Sequence, residues 1–456
     1  MTTLGGPPNF NADKQRQKKK RYPKKRLPSP DSFVVKTQKD ATLDVSEDEE
    51  DEEDYRKGGY HPIQLEDTFK AGRYVVKAKL GWGHFSTVWL ADDHNRNMEV
   101  ALKIVKSARH YTEAARDEIE ILTEVKKRDA DNKRCIIRLH DSFDIVGPHG
   151  KHVCMVFEKL GANMLSLIRL YKYRGLPLPM VKLFTKQILI GLDYLHRECK
   201  IIHTDLKPEN VLLEKTPVFQ PRAKHDEEAS DDSNRSKSDD KMDTDDRNRN
   251  GHSRRSNDSL PRSSSELMDA FGNGSWRAKI VDLGNACWTH KHFTDDVQTR
   301  QYRAPEVILG HSYDTAIDMW SMACIVFELL TGDLLFEPRM GKNFTKNDDH
   351  LAQIIELLGA MPKRLSLGGR YSNDYFNSKG ELRSIKTLKF WGLQQVAMEK
   401  YKFSPGVAES VSDFLLNLLV YDPKKRWTAR QCLDHPWLKD VDISDFKSVL
   451  VADDAS

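Results

Sequence analysis

Ile201-Ile202-His203-Thr204-Asp205-Leu206-Lys207-Pro208-Glu209-Asn210-Val211-Leu212-Leu213 is the stretch that decides how this chain is read. A polar centre lies between two apolar arms of β type, and it holds a carboxylate (Asp205), an ammonium (Lys207) and an amide (Asn210) close together. Such a set can take a proton, neutralise charge on a transferring group and reach a metal ion. Taken alone, the run reads equally well as a strand end with a polar turn. Residues elsewhere in the chain decide between the two.

The chain has 456 residues, more than one average domain, and suits a two-lobed enzyme with added tails. Charged residues make up 31% against 38% hydrophobic, and the formal net charge is only +3, so no uniform field for nucleic-acid binding is implied. The six cysteines are scattered without a CxxC pair, and most lie in apolar runs, which suits buried thiols in a reducing compartment and gives no zinc site. No apolar core of a signal peptide follows Met1, and no long uninterrupted apolar stretch occurs. A soluble intracellular protein without membrane or direct nucleic-acid contact is expected.

Residues 1–58 hold few large apolar side chains and are expected to be a disordered tail. Its basic run from Lys14 to Arg26 reads as a nuclear import signal or as a solvated arm; its acidic run from Ser46 to Asp54 reads as a solvated linker or as a mask for the basic one. From Tyr74 short β-type runs begin. Gly81-Trp82-Gly83-His84-Phe85-Ser86-Thr87-Val88 is similar to the glycine-rich loop G-x-G-x-x-G-x-V that folds over nucleotide phosphates, with Ser86 in place of the third glycine. Ala101-Leu102-Lys103 follows at the distance of a strand lysine that grips phosphates. Tyr111–Lys127 has helical spacing (Ile119, Leu122, Val125), and Glu118 is the carboxylate assigned to Lys103, although Glu120 and Glu124 share the helix. Met180–Arg197 has the period of a long buried helix. Residues 217–275 are rich in Ser, Asp, Arg, Lys and Asn and are expected to be a disordered spacer. Beyond it Ala278–Gly284 is a strand ending in Asp282-Leu283-Gly284, and Ala304-Pro305-Glu306 closes the segment.

In this order the motifs resemble a eukaryotic protein kinase, which implies an α+β bilobal fold: a β-rich N-lobe over 67–160, then a helical C-lobe over 161–216 and 276–446, with a tail at 447–456. The resemblance implies ATP and Mg2+ as cofactors. It gives Asp205 the hydroxyl proton, Lys207 the charge of the transferring phosphoryl group, and Asn210 and Asp282 the metal. Thr299 would bond Asp205 and Lys207. Leu80, Gly81, Gly83, Val88, Ala101, Lys103, Glu118, Phe157, Glu158 and Leu160 would surround the nucleotide, with the backbones of Glu158 and Leu160 on the adenine edge. Glu306 would pair with Arg426, and Asp318 would support the catalytic loop.

More narrowly the chain resembles the SR-protein-specific kinases, the SRPK family of the CMGC group. Gly59-Tyr60-His61-Pro62, Trp82–Trp89, Phe157–Gly161, Ile202–Lys207, Asp282–Trp288, Gln298–Arg303 and Asp348–Leu351 carry that resemblance, as does the spacer itself. It implies serine phosphorylation in Arg-Ser repeats of SR splicing factors, control of pre-mRNA splicing, a monomer, and residence in cytoplasm and nucleus. By the same resemblance Asp333, Asp349 and Glu356, with Lys400 nearby, form an acidic docking groove, and Arg300, Arg303 and Lys346 receive phosphorylated serines. As residues alone they read as solvated surface charges. Thr204 stands where most kinases carry an arginine that reads a phosphate on the activation loop, so an enzyme active as made is expected. Another CMGC kinase, or a catalytically dead scaffold for Arg-Ser domains, are the alternatives.

Overall fold

The computed structural model describes residues 50–216 and 276–441. The basic run, the first part of the acidic run, the spacer over 217–275 and the 447–456 tail lie outside the described residues.

The first lobe is a six-stranded antiparallel sheet. Strands β1 (Thr68–Phe69), β2 (Tyr74–Gly83), β3 (Ser86–Asp93), β4 (Met98–Val105), β5 (Leu139–Gly147) and β6 (Gly150–Glu158) lie in the order β1-β2-β3-β4-β6-β5. Period-two alternation sorts its side chains. Val100, Leu102 and Ile104 of β4 join a separate outer cluster with Tyr74, Val76 and Trp89, so Ala101, Lys103 and Val105 face the other way. Helix α1 (Arg109–Arg128) covers that inner side with Ala115, Glu118, Ile121, Leu122 and Val125, a stripe at helical spacing. Glu118 lies on the stripe. Glu124 instead pairs outward with Lys127 and Arg128, so burial picks one acid from the helix.

The second lobe is helical. After α2 (Met164–Leu170), α3 (Leu178–Asp193) runs into a single π turn, Tyr194–Cys199, that ends on Lys200 in the left-handed region and delivers the chain to β7 (Ile201–Ile202). Strand β8 (Val211–Leu213) pairs antiparallel with β9 (Ala278–Ile280), Leu213 opposite Ala278, so the chain leaves for the spacer and returns at one place. Gln187 of α3 holds the return point, donating to the Trp276 carbonyl at 2.6 Å and accepting from the Ala278 amide at 2.7 Å. Strand β10 (Cys287–Trp288) pairs with β7. Helices α4 (Pro305–Ile308), α5 (Ala316–Thr331), α6 (Lys346–Leu358), α7 (Lys363–Ser366), α8 (Ser372–Tyr375), α9 (Leu393–Glu399), α10 (Pro405–Leu418) and α11 (Ala429–Leu433) complete it. Every residue of α5 is buried, which makes it the axis of the lobe.

One expected boundary is wrong. Residues 50–58, assigned to an unpacked tail, pack against the sheet. Glu50 is buried and bonded to Lys79, and Asp54 pairs with the buried Lys106 at 2.9 Å. Composition misleads there because the acids find lysines across the fold. No helix of the described residues is long and apolar enough to cross a membrane. All six cysteines are free and buried.

Candidate active site

The site is built where the two lobes meet. From the N-lobe, Lys103 Nζ donates to both Glu118 oxygens at 2.9 Å and lies 3.7 Å from Asp282 Oδ1. Burial alone would push the Lys103 ammonium down, but the carboxylates of Glu118 and Asp282 outweigh it and hold it charged. Strand β2 ends at Gly83 and β3 starts at Ser86, so only His84 and Phe85 turn the glycine-rich hairpin. A Cβ added at Gly83 would meet nothing within 4 Å. The protein's own packing therefore does not require a glycine there, and the bare backbone leaves room for a ligand's close approach. Leu80, Val88, Phe157 and Leu160 are buried, and Ala101 pairs with Phe157 across β4 and β6. They give an apolar slot that suits a planar base.

The C-lobe supplies the reacting end. Asp205 Oδ1 accepts from the Thr299 hydroxyl at 2.6 Å and from its amide at 3.2 Å, and Oδ2 accepts from Lys207 Nζ at 2.9 Å. Lys207 also donates to the Thr299 hydroxyl at 3.2 Å. Asn210 Nδ2 donates to the Asp205 carbonyl at 2.9 Å, which leaves the Asn210 side-chain oxygen as the atom to offer a cation. Asp205 borders a polar cleft of about 210 Å³ with Thr204, Asn285, Thr294, Asp296 and Thr299.

The loop is held from beneath by Asp318, wholly buried on α5. Its carboxylate accepts from the His203 amide at 2.8 Å, the Thr204 amide at 2.9 Å and His196 Nε2 at 2.8 Å. Burial would push this carboxyl up; those bonds and the facing histidines overcome it and hold it below its ordinary value. His203 Nε2 lies 2.9 Å from the Val281 carbonyl and Nδ1 accepts the Asp205 amide at 3.3 Å, so the backbone orients the ring from both sides. Arg426 meets Glu306 in a buried fork at 2.6 and 3.1 Å.

The donor set fits a nucleotide and a divalent ion. Asp282 and Asn210 are two oxygen donors beside a charged lysine, and no group of three or more His, Cys, Asp or Glu able to hold a metal occurs among the described residues. Two protein oxygens suit an ion that takes its remaining ligands from phosphates and water.

Comparison with known proteins agrees. The model of the protein kinase domain matches residues 74–221 and 267–438, leaving out the centre of the spacer. The serine/threonine-protein kinase SRPK of Physarum polycephalum is 55% identical over 401 residues, 86% of this chain and 92% of that protein. This chain belongs to the SRPK family of protein kinases. Protein kinase dsk1 of Schizosaccharomyces pombe is 44% identical over 474 residues, covering 88% of this chain and 87% of its own. SRSF protein kinase 3 of Homo sapiens is 40% identical, covering 86% and 90%. As a protein kinase the chain uses ATP and a divalent metal. When bound, these supply the phosphoryl group and the charge that screens it. With them bound, the geometry would suit Asp205 to orient and deprotonate an acceptor hydroxyl, Lys207 to stand beside the path of transfer, and Lys103, held by Glu118, to meet phosphate oxygens.

The charged residues that the SRPK resemblance picks out fall into two groups. Asp349 and Glu356 stand two turns apart on α6 and so share a face. Asp349 accepts from the Arg339 amide at 2.8 Å, Glu356 from the Lys389 amide at 2.7 Å, and Asp333 from Lys400 at 3.0 Å. Lys346 is exposed at the start of α6, where Arg300 reaches Asn347 at 2.5 Å. Arg303 is turned inward: it donates to the Gln298 carbonyl at 2.7 and 3.1 Å and pairs with Asp296 at 3.1 Å.

Two groups escaped the sequence reading. Lys279, 2% exposed, donates to both oxygens of Glu158 at 2.7 Å and lies 3.6 Å from Glu214, tying the inter-lobe strand to both roots of the spacer. A lysine at the centre of the apolar strand Ala278–Ile280 was the only signal for it. Gln298 donates to the Tyr302 and Ile317 carbonyls and to Ser321, and accepts the Ala304 amide, at 2.8 to 3.2 Å. Nothing in its spacing marks this role.

Proposed function

We propose that this kinase uses Mg2+-ATP to phosphorylate serines in the Arg-Ser repeats of SR splicing factors, thereby regulating pre-mRNA splicing, and that it is active as made. It acts as a monomer in cytoplasm and nucleus, without binding nucleic acid itself. The observation that carries the substrate class is the pair Asp349 and Glu356 on one face of α6, with Asp333 held beside Lys400. A backbone amide fixes one oxygen of each α6 acid, so the carboxylates are oriented before a ligand arrives. An arginine's planar fork meets such a carboxylate with two donors, whereas lysine is a strongly hydrated point charge. The names of the human and Physarum relatives point to the same substrates.

Activity without loop phosphorylation is supported by what replaces the missing arginine. The Thr204 hydroxyl donates directly to the Asn285 carbonyl at 2.8 Å, joining the catalytic loop to the metal-binding segment. Gln298 and Arg303 pin the far end of the activation segment by bonds within the chain. A phosphate has no vacant arginine to recruit at Thr204.

Steady-state kinetics of the Asp349→Ala/Glu356→Ala variant test the groove. On a long Arg-Ser substrate the loss is expected at about 1–3 kcal/mol of kcat/KM, discounted for solvent exposure, and it shrinks as salt rises. A short peptide confined to the catalytic cleft should lose much less. Equal losses on both lengths, or none on either, would reduce these acids to surface charges.

A further inference from the structure

The segment Glu50–His61 lies outside the cleft, yet it touches β2, the glycine-rich hairpin and the entrance of α1. Its outer end is fixed by Glu50, which accepts from Lys79 of β2 and from the Tyr55 hydroxyl. Its middle binds the entrance of α1: the Ser107 amide donates to the Gly59 carbonyl at 3.1 Å and the Ala108 amide to the Gly58 carbonyl at 2.9 Å. A Cβ at Gly59 would sit 1.8 Å from the Asp54 carbonyl oxygen, so the tight fold-back accepts glycine alone. Tyr60 then turns inward, 1% exposed, and its hydroxyl donates to the carbonyl of Gly83 at 2.7 Å. Lys106 locks the ring, standing 4.3 Å above its centre while paired to Asp54. Phe85 at the hairpin tip packs on Tyr111 of α1 with ring centres 5.5 Å apart.

We infer that Tyr60 is a positioning residue for ATP: through the Gly83 carbonyl it sets the glycine-rich loop in register with α1, which carries Glu118. The peptide joining Gly83 to His84 is planar and trans, so drawing its carbonyl toward Tyr60 turns the His84 N–H to the opposite side. The loop thereby holds a fixed backbone donor for a phosphate oxygen instead of settling on one after binding. Tyr60 also makes the hairpin answer to α1, because Lys106, Gly58 and Gly59 tie both to the same strap. Lys103 and Glu118 are thus aligned with the hairpin by contacts that lie outside the cleft. This inference rests on the kinase activity alone and is independent of the Arg-Ser substrate.

Tyr60→Phe in the full chain removes the hydroxyl and keeps the ring over which Lys106 sits. The expected result is a fall in kcat/KM for ATP of about 2- to 10-fold, the scale of one neutral hydrogen bond. The KM for peptide at saturating ATP stays unchanged, and the amides of residues 81–86 exchange hydrogen faster. Glu50→Gln, which loosens the strap's outer end and leaves Tyr60 in place, shifts the same two readouts in the same direction by less. Should Tyr60→Phe not fold, Glu50→Gln decides by the same comparison. Unchanged ATP kinetics and exchange in the folded variants, or equal losses toward ATP and peptide, would overturn the assignment.

Discussion

Replacing Asp318 by Asn tests the support of the catalytic loop with almost no change of shape. The carboxylate takes three hydrogen bonds, from two backbone amides and His196, in a place with no access to water. An asparagine has one acceptor oxygen; if it serves Thr204, the new amide nitrogen faces the His203 amide and His196 Nε2, both on the side of Oδ2. Two bonds to a charged acceptor are lost, at about 1.5–3 kcal/mol each, so the total is roughly 3–6 kcal/mol. With an unfolding entropy of about 2.1 cal/mol/K per residue, a lobe pair of this size should melt roughly 4–8 °C lower. Because His203 and Thr204 precede Asp205 directly, kcat should fall with it. The sign with pH follows from the carboxyl's lowered pKa. Its stabilisation is full above the unfolded value of 3.8 and is lost as pH falls through the lower folded one, so the gap between wild type and variant narrows in strong acid. Calorimetry from neutral to acid pH with parallel peptide kinetics is the assay. A variant that melts with wild type at neutral pH and keeps its kcat would refute the reasoning.

The chemistry itself predicts that Asp205→Asn or Asp282→Ala lowers turnover at least about a hundredfold while the circular dichroism spectrum is unchanged. Burial pushes the Glu328 carboxyl up to about 7, with Tyr302 donating to it at 2.6 Å, so ionising it in the fold costs stability above its unfolded pKa. Glu328→Gln should therefore raise the melting temperature more at pH 8 than at pH 5, which a pH series of thermal melts checks. Phosphatase treatment of the purified chain, verified by intact mass, should leave kcat where it was. Lys279→Met, which strands Glu158 and Glu214 without their cation, should lower the melting temperature and raise the KM for ATP through the inter-lobe strand.

The residues that the fold gathers at the inter-lobe cleft were legible because they lie in short motifs: Asp205, Lys207 and Asn210 in one loop, and Asp282 just past strand β9. Glu118 was nearly so: the spacing of Ile119, Leu122 and Val125 marked the helix, while the buried stripe that singles out Glu118 runs through Ala115, Ile121, Leu122 and Val125. Contacts between residues distant in sequence were not. Glu50 and Asp54 looked like solvent charges because Lys79 of β2 and Lys106 just past β4, which neutralise them, lie far along the chain and local composition does not place them nearby. Lys279 broke an apolar strand with no visible partner, and Gln298 bonds backbone groups that carry no residue identity at all. Arg303, which as a residue alone reads as a solvated surface charge, donates to the Gln298 carbonyl at 2.7 Å.

Phosphorylation of an Arg-Ser repeat beside a Lys-Ser repeat of equal length and charge, by the purified chain with Mg2+-ATP, tests the central claim most directly. The oriented acids of α6 predict strong preference for the Arg-Ser repeat, greatest at low salt and decreasing as salt screens the partly exposed charges. Equal rates on both repeats at every ionic strength would contradict it.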